Sequence, residues 1–270
     1  MLPDVQASVP AQGSSIFDVA REAGVSRATA ARALGGYGSV SEDARRRVEA
    51  AAERLGYSVN SVARSMVTGQ TMTLGALIAD ISNPFFARVI RGFTDGARSA
   101  GYDVVLVNTD ETVYTEIHGL KLLTEKRVDG ILVAPASEEV GEHLALAIER
   151  GQALVQVDRY IPGLDTDVVV VNNYESGYQA VQRVIAAGHT RIAAPILRTK
   201  GGDGHANLIS TMHERHQGYR DAMAEAGLAV PQAYTPGAHG RSEVRTAVAE
   251  MLSRPDRPTA VFGLDDSFTL

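Results

Sequence analysis

The chain has 270 residues, 44% of them hydrophobic and 21% charged, with no cysteine and no tryptophan. That length is enough for two or more folded units, and the composition excludes a disulfide framework, a thiolate metal site and a cysteine nucleophile. The N-terminal run MLPDVQASVPAQGSS lacks the basic and apolar stretches of a secretory signal, and no apolar run is long enough to span a bilayer, so a cytoplasmic protein without membrane association is expected.

The net charge of -6 argues against a nucleic-acid binder, but it is unevenly spread. Residues 1–70 hold eight arginines, no lysine and seven acids, a net +1, which leaves -7 for the rest. A near-neutral head on an acidic body suits a protein that touches DNA with one end only.

After a tail over residues 1–14, expected to be disordered, three short helical patterns follow. Ile16, Val19, Ala20 and Ala23 have the spacing of one buried helical face. Ser15 stands at the N-cap position with Asp18 three residues on, close to a capping box. Gly24-Val25-Ser26 makes a tight turn, and Ser26 caps a second helix from Arg27 to Leu34, broken by Gly35-Gly36-Tyr37-Gly38. Ser41 caps a third, with Glu42 and Asp43 in its first turn, where acids complement the helix dipole. Ala44, Val48, Ala51 and Leu55 form its inner face, and Gly56 ends it.

Residues 60–70 form a short, weakly apolar linker, and after Thr71 the texture changes. Apolar runs LGALIAD, VVLVN, GILVAP and ALVQVD alternate with amphipathic helical patterns. The alternation resumes with VVVVN, RIAAPIL and TAVFGLDD. Such runs separated by helices predict parallel strands covered on both faces, in doubly wound layers.

The first two helices and their three-residue turn form a helix-turn-helix pattern. The second would lie in the major groove with Arg27, Ala28 and, a turn later, Arg32 facing outward. A guanidinium fork matches the O6 and N7 acceptors of guanine, and an alanine methyl can meet that of thymine. On these residues alone, a surface helix with two solvated arginines fits equally well.

Longer runs narrow the choice. IFDVAREAGVSRATAARAL, VSEDARRRVEAAAERLGY and NSVARSMVTG resemble the DNA-binding head of the lactose-repressor (LacI) family. LGALIADISNPFFARVIRG, RVDGILVAP and GHTRIA continue the resemblance into that family's sensor domain. The resemblance covers nearly the whole chain from Ser15, with several motifs in the right order. It implies an α/β protein with an N-terminal three-helix helix-turn-helix head over 15–59 and a hinge helix over 60–70. A two-lobed periplasmic-binding-protein-like domain with parallel sheets would follow, its lobes spanning 71–171 and 172–270, the second C-terminally incomplete because family chains continue past Leu270.

The resemblance further implies base reading by Arg27, Ala28 and Arg32, and phosphate contacts from Ser26 and Thr29. It implies a hinge with DNA contacts from Asn60, Ala63 and Met66, the last as an apolar wedge in the minor groove. Met66 is otherwise a partly exposed hinge residue. In the sensor, Phe85, Phe86, Asp158, Arg159, Asn173, Arg215 and Asp266 match effector-binding positions, at the carboxyl ends of strands where such folds bind ligands. For Phe85 the competing role is lobe packing, and for Arg159 an exposed salt bridge. The implied partners are near-palindromic operator DNA, a second copy of the chain, and a small polar effector such as a sugar or nucleoside. No cofactor, metal or catalytic residue is expected. Gly201-Gly202-Asp203-Gly204 lacks the lysine-serine pair of a P-loop, His213-Glu214 with His216 is not HExxH, and no GxSxG elbow occurs. A solute-binding protein without gene regulation would account for the lobes but not for the head.

Overall fold

A computed structural model of the chain describes residues 14–57, 61–195, 209–230 and 241–264. Residues 1–13 of the N-terminal tail, Asn60, the glycine-rich stretch 201–204 and Asp266 lie outside the described residues, as does the side chain of Ala63. The chain divides into two compact units, 1–72 and 73–270.

The first unit holds α1 (Ile16–Glu22), α2 (Arg27–Gly35), α3 (Glu42–Arg54) and α4 (Ser61–Thr68). Its start signals act as caps. Ser15 and Asp18 close a reciprocal capping box, and Ser26 and Ser41 accept the N–H groups of Thr29 and Ala44. Val19, Ala30, Val48 and Ala51 are fully buried between the first three helices. The alanines let the backbones approach closely. The guanidinium of Arg47 donates to the carbonyl of Ala23 at 3.0 Å and that of Arg45 to Ala33 at 3.2 Å. The third helix thereby satisfies orphan carbonyls at the C-terminal ends of the first two. The second helix runs one residue past the expected stop, into Gly35, and ends on Gly36 in the left-handed conformation.

The second unit begins with β1 (Thr73–Ile78), α5 (Pro84–Ser99), β2 (Asp103–Asn108), α6 (Val113–Glu125), β3 (Gly130–Val133), α7 (Glu142–Glu149), β4 (Leu154–Val157) and β5 (Asp167–Val169). It continues through α8 (Asn173–Ala186), β6 (Ile192–Ala193), α9 (Ser210–Glu225), α10 (Arg241–Ser253) and β7 (Ala260–Val261). The first five strands form one parallel sheet in the order β2-β1-β3-β4-β5. Leu77, Leu123, Val133 and Leu144 pack in one cluster, and Ile78, Phe86, Ala134 and Val157 in another. Because β2 and β3 leave β1 in opposite directions, the carboxyl ends of β1 and β3 frame a crevice of the kind in which open α/β sheets hold ligands.

Strands β6 and β7 pair in parallel, beneath Val181, Tyr219 and Met223 from α8 and α9. They are shorter than RIAAPIL and TAVFGLDD suggest: two residues each among the described ones. The run VVVVN also differs from its reading as a strand covered on both faces. Only Asp167–Val169 pair, β5 takes the last position in the sheet order, and Val168 to Val171 are 39–59% exposed. An edge position removes one neighbour, so apolar character alone did not secure burial.

Candidate functional site

In the head, the capping serine that starts α2 also sets its outward edge. Ser26, Arg27 and Ala28 are exposed. The Oγ of Ser26 accepts the Thr29 N–H at 3.1 Å and lies 2.9 Å from Thr29 Oγ1. Both expected phosphate-contacting hydroxyls therefore sit together at the helix start, where backbone N–H groups favour anions. Arg32 is half-buried, its Nε donating to the carbonyl of Ala28 at 3.2 Å, and this back-bond holds it along the same face. Arg27 lies over the ring of Phe17, 4.6 Å from its centroid. In α4, Met66 is 79% and Val67 61% exposed. Neither side chain is needed for packing within the described head.

In the second unit, a polar cluster gathers at the carboxyl ends of the strands. Asp158 and Arg159 follow β4. Asp158 has φ +69°, its N–H donates to the carbonyl of Val169 at 3.0 Å, and its side chain is buried. Desolvation raises the Asp158 carboxyl above the ordinary range, against the opposing pull of Arg159 and Arg215. Arg159 is only 2% exposed. Its Nη2 donates to Glu111 Oε2 at 2.6 Å, whereas its buried Nε has no hydrogen-bond partner. The exposed salt bridge considered for it is thus a real pair, but the arginine end is inside the protein. Glu111 and its neighbour Asp110 both take positive φ values, +58° and +51°. Strain at non-glycine residues concentrates at functional positions, and here three such residues border one crevice.

From the opposite side, α8 and α9 bring Asn173 and Arg215. Asn173 is 2% exposed and its Oδ1 accepts from Arg215 Nε at 2.9 Å. The Nη1 of Arg215 donates to the carbonyl of Leu264 at 2.7 Å. Glu138, after β3, accepts from the backbone N–H and hydroxyl of Ser210 at 2.6–3.0 Å. This carboxylate from the first lobe lies at the start of α9, where the helix dipole favours it.

The aromatic pair behaves differently from expectation. Phe86 is 4% exposed and packs among Ile78, Leu132 and Val157. Its ring area is spent on the core rather than on an open stacking surface. Phe85 is partly buried against the same cluster, edge-on to Phe86 at 5.3 Å, which is the lobe packing weighed for it.

Sequence reasoning missed Glu111 and Glu138. Each follows a strand end, yet its partner is 48 or 72 residues away, beyond the reach of any local pattern. A cavity of about 700 Å³ also lies beside the sheet, toward the amino ends of β3, β4 and β5, lined by Phe93, Ile131, Leu154 and Asp167. It is mostly apolar and away from the polar cluster. Among the described residues, no group of three His, Asp or Glu could hold a metal ion, and no helix is long and apolar enough to cross a membrane.

Comparison with known proteins places this geometry. Residues 15–60 match the family described as bacterial regulatory proteins, lacI family, and residues 71–270 match periplasmic binding proteins and sugar binding domain of LacI family. The catabolite control protein A of Priestia megaterium is 34% identical over 95% of this chain and 75% of its own length. The transcriptional repressor PurR of Photobacterium profundum is 34% identical over 94% and 74%. The structure of the lac repressor dimer bound to operator and the anti-inducer ONPF superposes with a TM-score of 0.72 at 20% identity, covering 93% of this chain and 74% of that one, a likeness of fold. With a helix-turn-helix head, a parallel α/β sensor unit and these relatives, the chain belongs to the LacI family of bacterial transcriptional regulators.

Proposed function

We propose that the protein is a cytoplasmic, homodimeric repressor that reads a near-palindromic operator through α2 and is controlled by a small uncharged effector, a sugar or nucleoside. It has no catalytic role. The observation that carries the reading is the outward edge of α2: Ser26, Arg27 and Ala28 stand exposed directly after the turn, on a helix locked by its cap. Arg27, Ala28 and Arg32 read bases, and Ser26 and Thr29 hold phosphates. The exposed Met66, with Asn60 and Ala63 in the same hinge, engages the minor groove.

Asp158, Arg159, Asn173 and Arg215 bind the effector, with Phe85 at the margin and Asp266 as a further acid. Arginines and carboxylates in near balance favour a neutral, hydroxyl-rich molecule over an ionic one. Such a ligand offers an acceptor to the vacant Nε of Arg159 and donors to Asp158. Effector contacts to residues of both lobes couple lobe closure to the head.

The test is binding of the full chain to fragments of its genome against random DNA over a range of salt. Preferential retention of particular fragments is expected. Arg27→Ala should relax preference at one symmetric operator position by about 1–3 kcal/mol. Equal binding to all fragments at every salt concentration would overturn the reading.

A further inference from the structure

Phe17 has no place in the core of the head. The buried stripe of α1 runs through Val19 and Ala20, with Ala23 beyond it, and Phe17 is 61% exposed. What it touches is Arg27, whose guanidinium carbon sits 4.6 Å from the ring centroid.

The other arginines nearby are held differently. Arg21, Arg46, Arg47 and Arg54 are paired with the carboxylates of Asp18, Asp43 and Glu22, while Arg27 makes no salt bridge among the described residues. The difference matters chemically. A carboxylate would occupy the N–H fork and cancel the charge. An aromatic face attracts the cation while leaving its in-plane N–H donors at the edge free.

We propose that Phe17 is a specificity-determining positioning residue: its ring holds the Arg27 guanidinium at the exposed edge of α2 so that the fork meets guanine. Phe17 narrows the orientations of a flexible cation before DNA arrives, and the contact strengthens as water leaves the interface. The inference rests on the assignment of Arg27 to base reading.

The experiment selects bound sequences from a randomised palindromic duplex library, using the full chain as wild type, Phe17→Leu, Phe17→Tyr and Arg27→Ala at one salt concentration. Circular dichroism and melting of each variant verify the fold, which a residue off the buried stripe should not disturb. Arg27→Ala is expected to erase a guanine preference at one symmetric pair of positions. Phe17→Leu should weaken the same preference by about 2- to 30-fold, the range a cation–π contact spans from exposed to desolvated, and leave the other positions unchanged. Phe17→Tyr should keep it.

The proposal is overturned if Phe17→Leu leaves that preference intact, lowers binding evenly over all sequences, or alters a different position. It is also overturned if Phe17→Tyr behaves like the leucine variant. A profile that Arg27→Ala does not change would instead remove the base-reading assignment itself, and the inference with it.

Discussion

Replacing Gly218 by alanine sets two physical effects against each other. In a helix interior alanine is favoured over glycine by about 1 kcal/mol, so propensity alone predicts a more stable protein. The packing of α9 on α8 predicts the reverse. A Cβ on Gly218 would lie 2.3 Å from the carbonyl oxygen of Tyr174 and 2.7 Å from the backbone nitrogen of Tyr178. Ordinary carbon–oxygen contacts are about 3.3–3.6 Å, so the helices must separate by roughly 1 Å. The obstructing atoms are backbone, and no rotamer change relieves them. Overpacking of this kind costs about 1–3 kcal/mol. After the propensity gain is subtracted, a net loss of up to about 2 kcal/mol is expected. In a unit of this size that lowers Tm by up to about 8 °C.

The same movement reaches the proposed effector site. Arg215 stands one turn before Gly218, and its two hydrogen bonds, 2.9 Å to Asn173 and 2.7 Å to Leu264, do not survive a shift of about 1 Å. Gly177 makes the reciprocal approach, its Cβ position lying 2.5 Å from the carbonyl oxygen of Arg215. Gly96 in α5 is the control, because a Cβ there meets nothing within 4 Å. Calorimetry of the full chain separates the transitions of the two units. Gly96→Ala should raise Tm of the second unit and Gly218→Ala should lower it. If both raise it, the close crossing does not constrain the fold and the reasoning fails.

Asp158→Asn should stabilise the unliganded protein at neutral pH by about 0.5–2 kcal/mol while abolishing effector binding, the trade expected at a strained site. The sign follows from the raised carboxyl: its contribution is full below the ordinary value of 3.8 and is lost as pH rises through the folded-state value. The stability gap between variant and wild type, measured by urea unfolding, should therefore widen from about pH 4 to pH 7, and a constant gap would exclude Asp158 as its source. Glu116 is fully buried and accepts from the Ala136 N–H at 2.7 Å and from His143 Nε2 at 2.6 Å. Glu116→Ala strands both donors and should cost about 2–4 kcal/mol, read as a lower denaturant midpoint at unchanged slope.

Much of the head was legible from single residues. Ser15, Ser26 and Ser41 precede helices, the glycines at 24, 36 and 56 stand where the chain needs positive φ, and spacing marks the buried stripes. These are local effects, because caps and turns act within about four residues. Alternation of apolar runs with helical patterns likewise announced a parallel sheet, since strands covered on both faces read as near-continuous apolar runs, although VVVVN reads so and lies exposed at the edge. Arg159, Arg215 and Asp158 were singled out through resemblance, whereas Phe86 shows its limit: a position can match a family's ligand contact while its ring goes to the core.

The sequence by itself determined where the helices of the head start and which runs supply the strands of the first sheet's core, because these depend on neighbours along the chain. Only the tertiary structure decided the order β2-β1-β3-β4-β5, the exposure of the valines beside β5, the pairing of Arg159 with Glu111, and the glycine crossing that sets Arg215 against Asn173. Each of these joins residues tens of positions apart, and whether such groups meet depends on how whole elements pack, which local pattern does not encode.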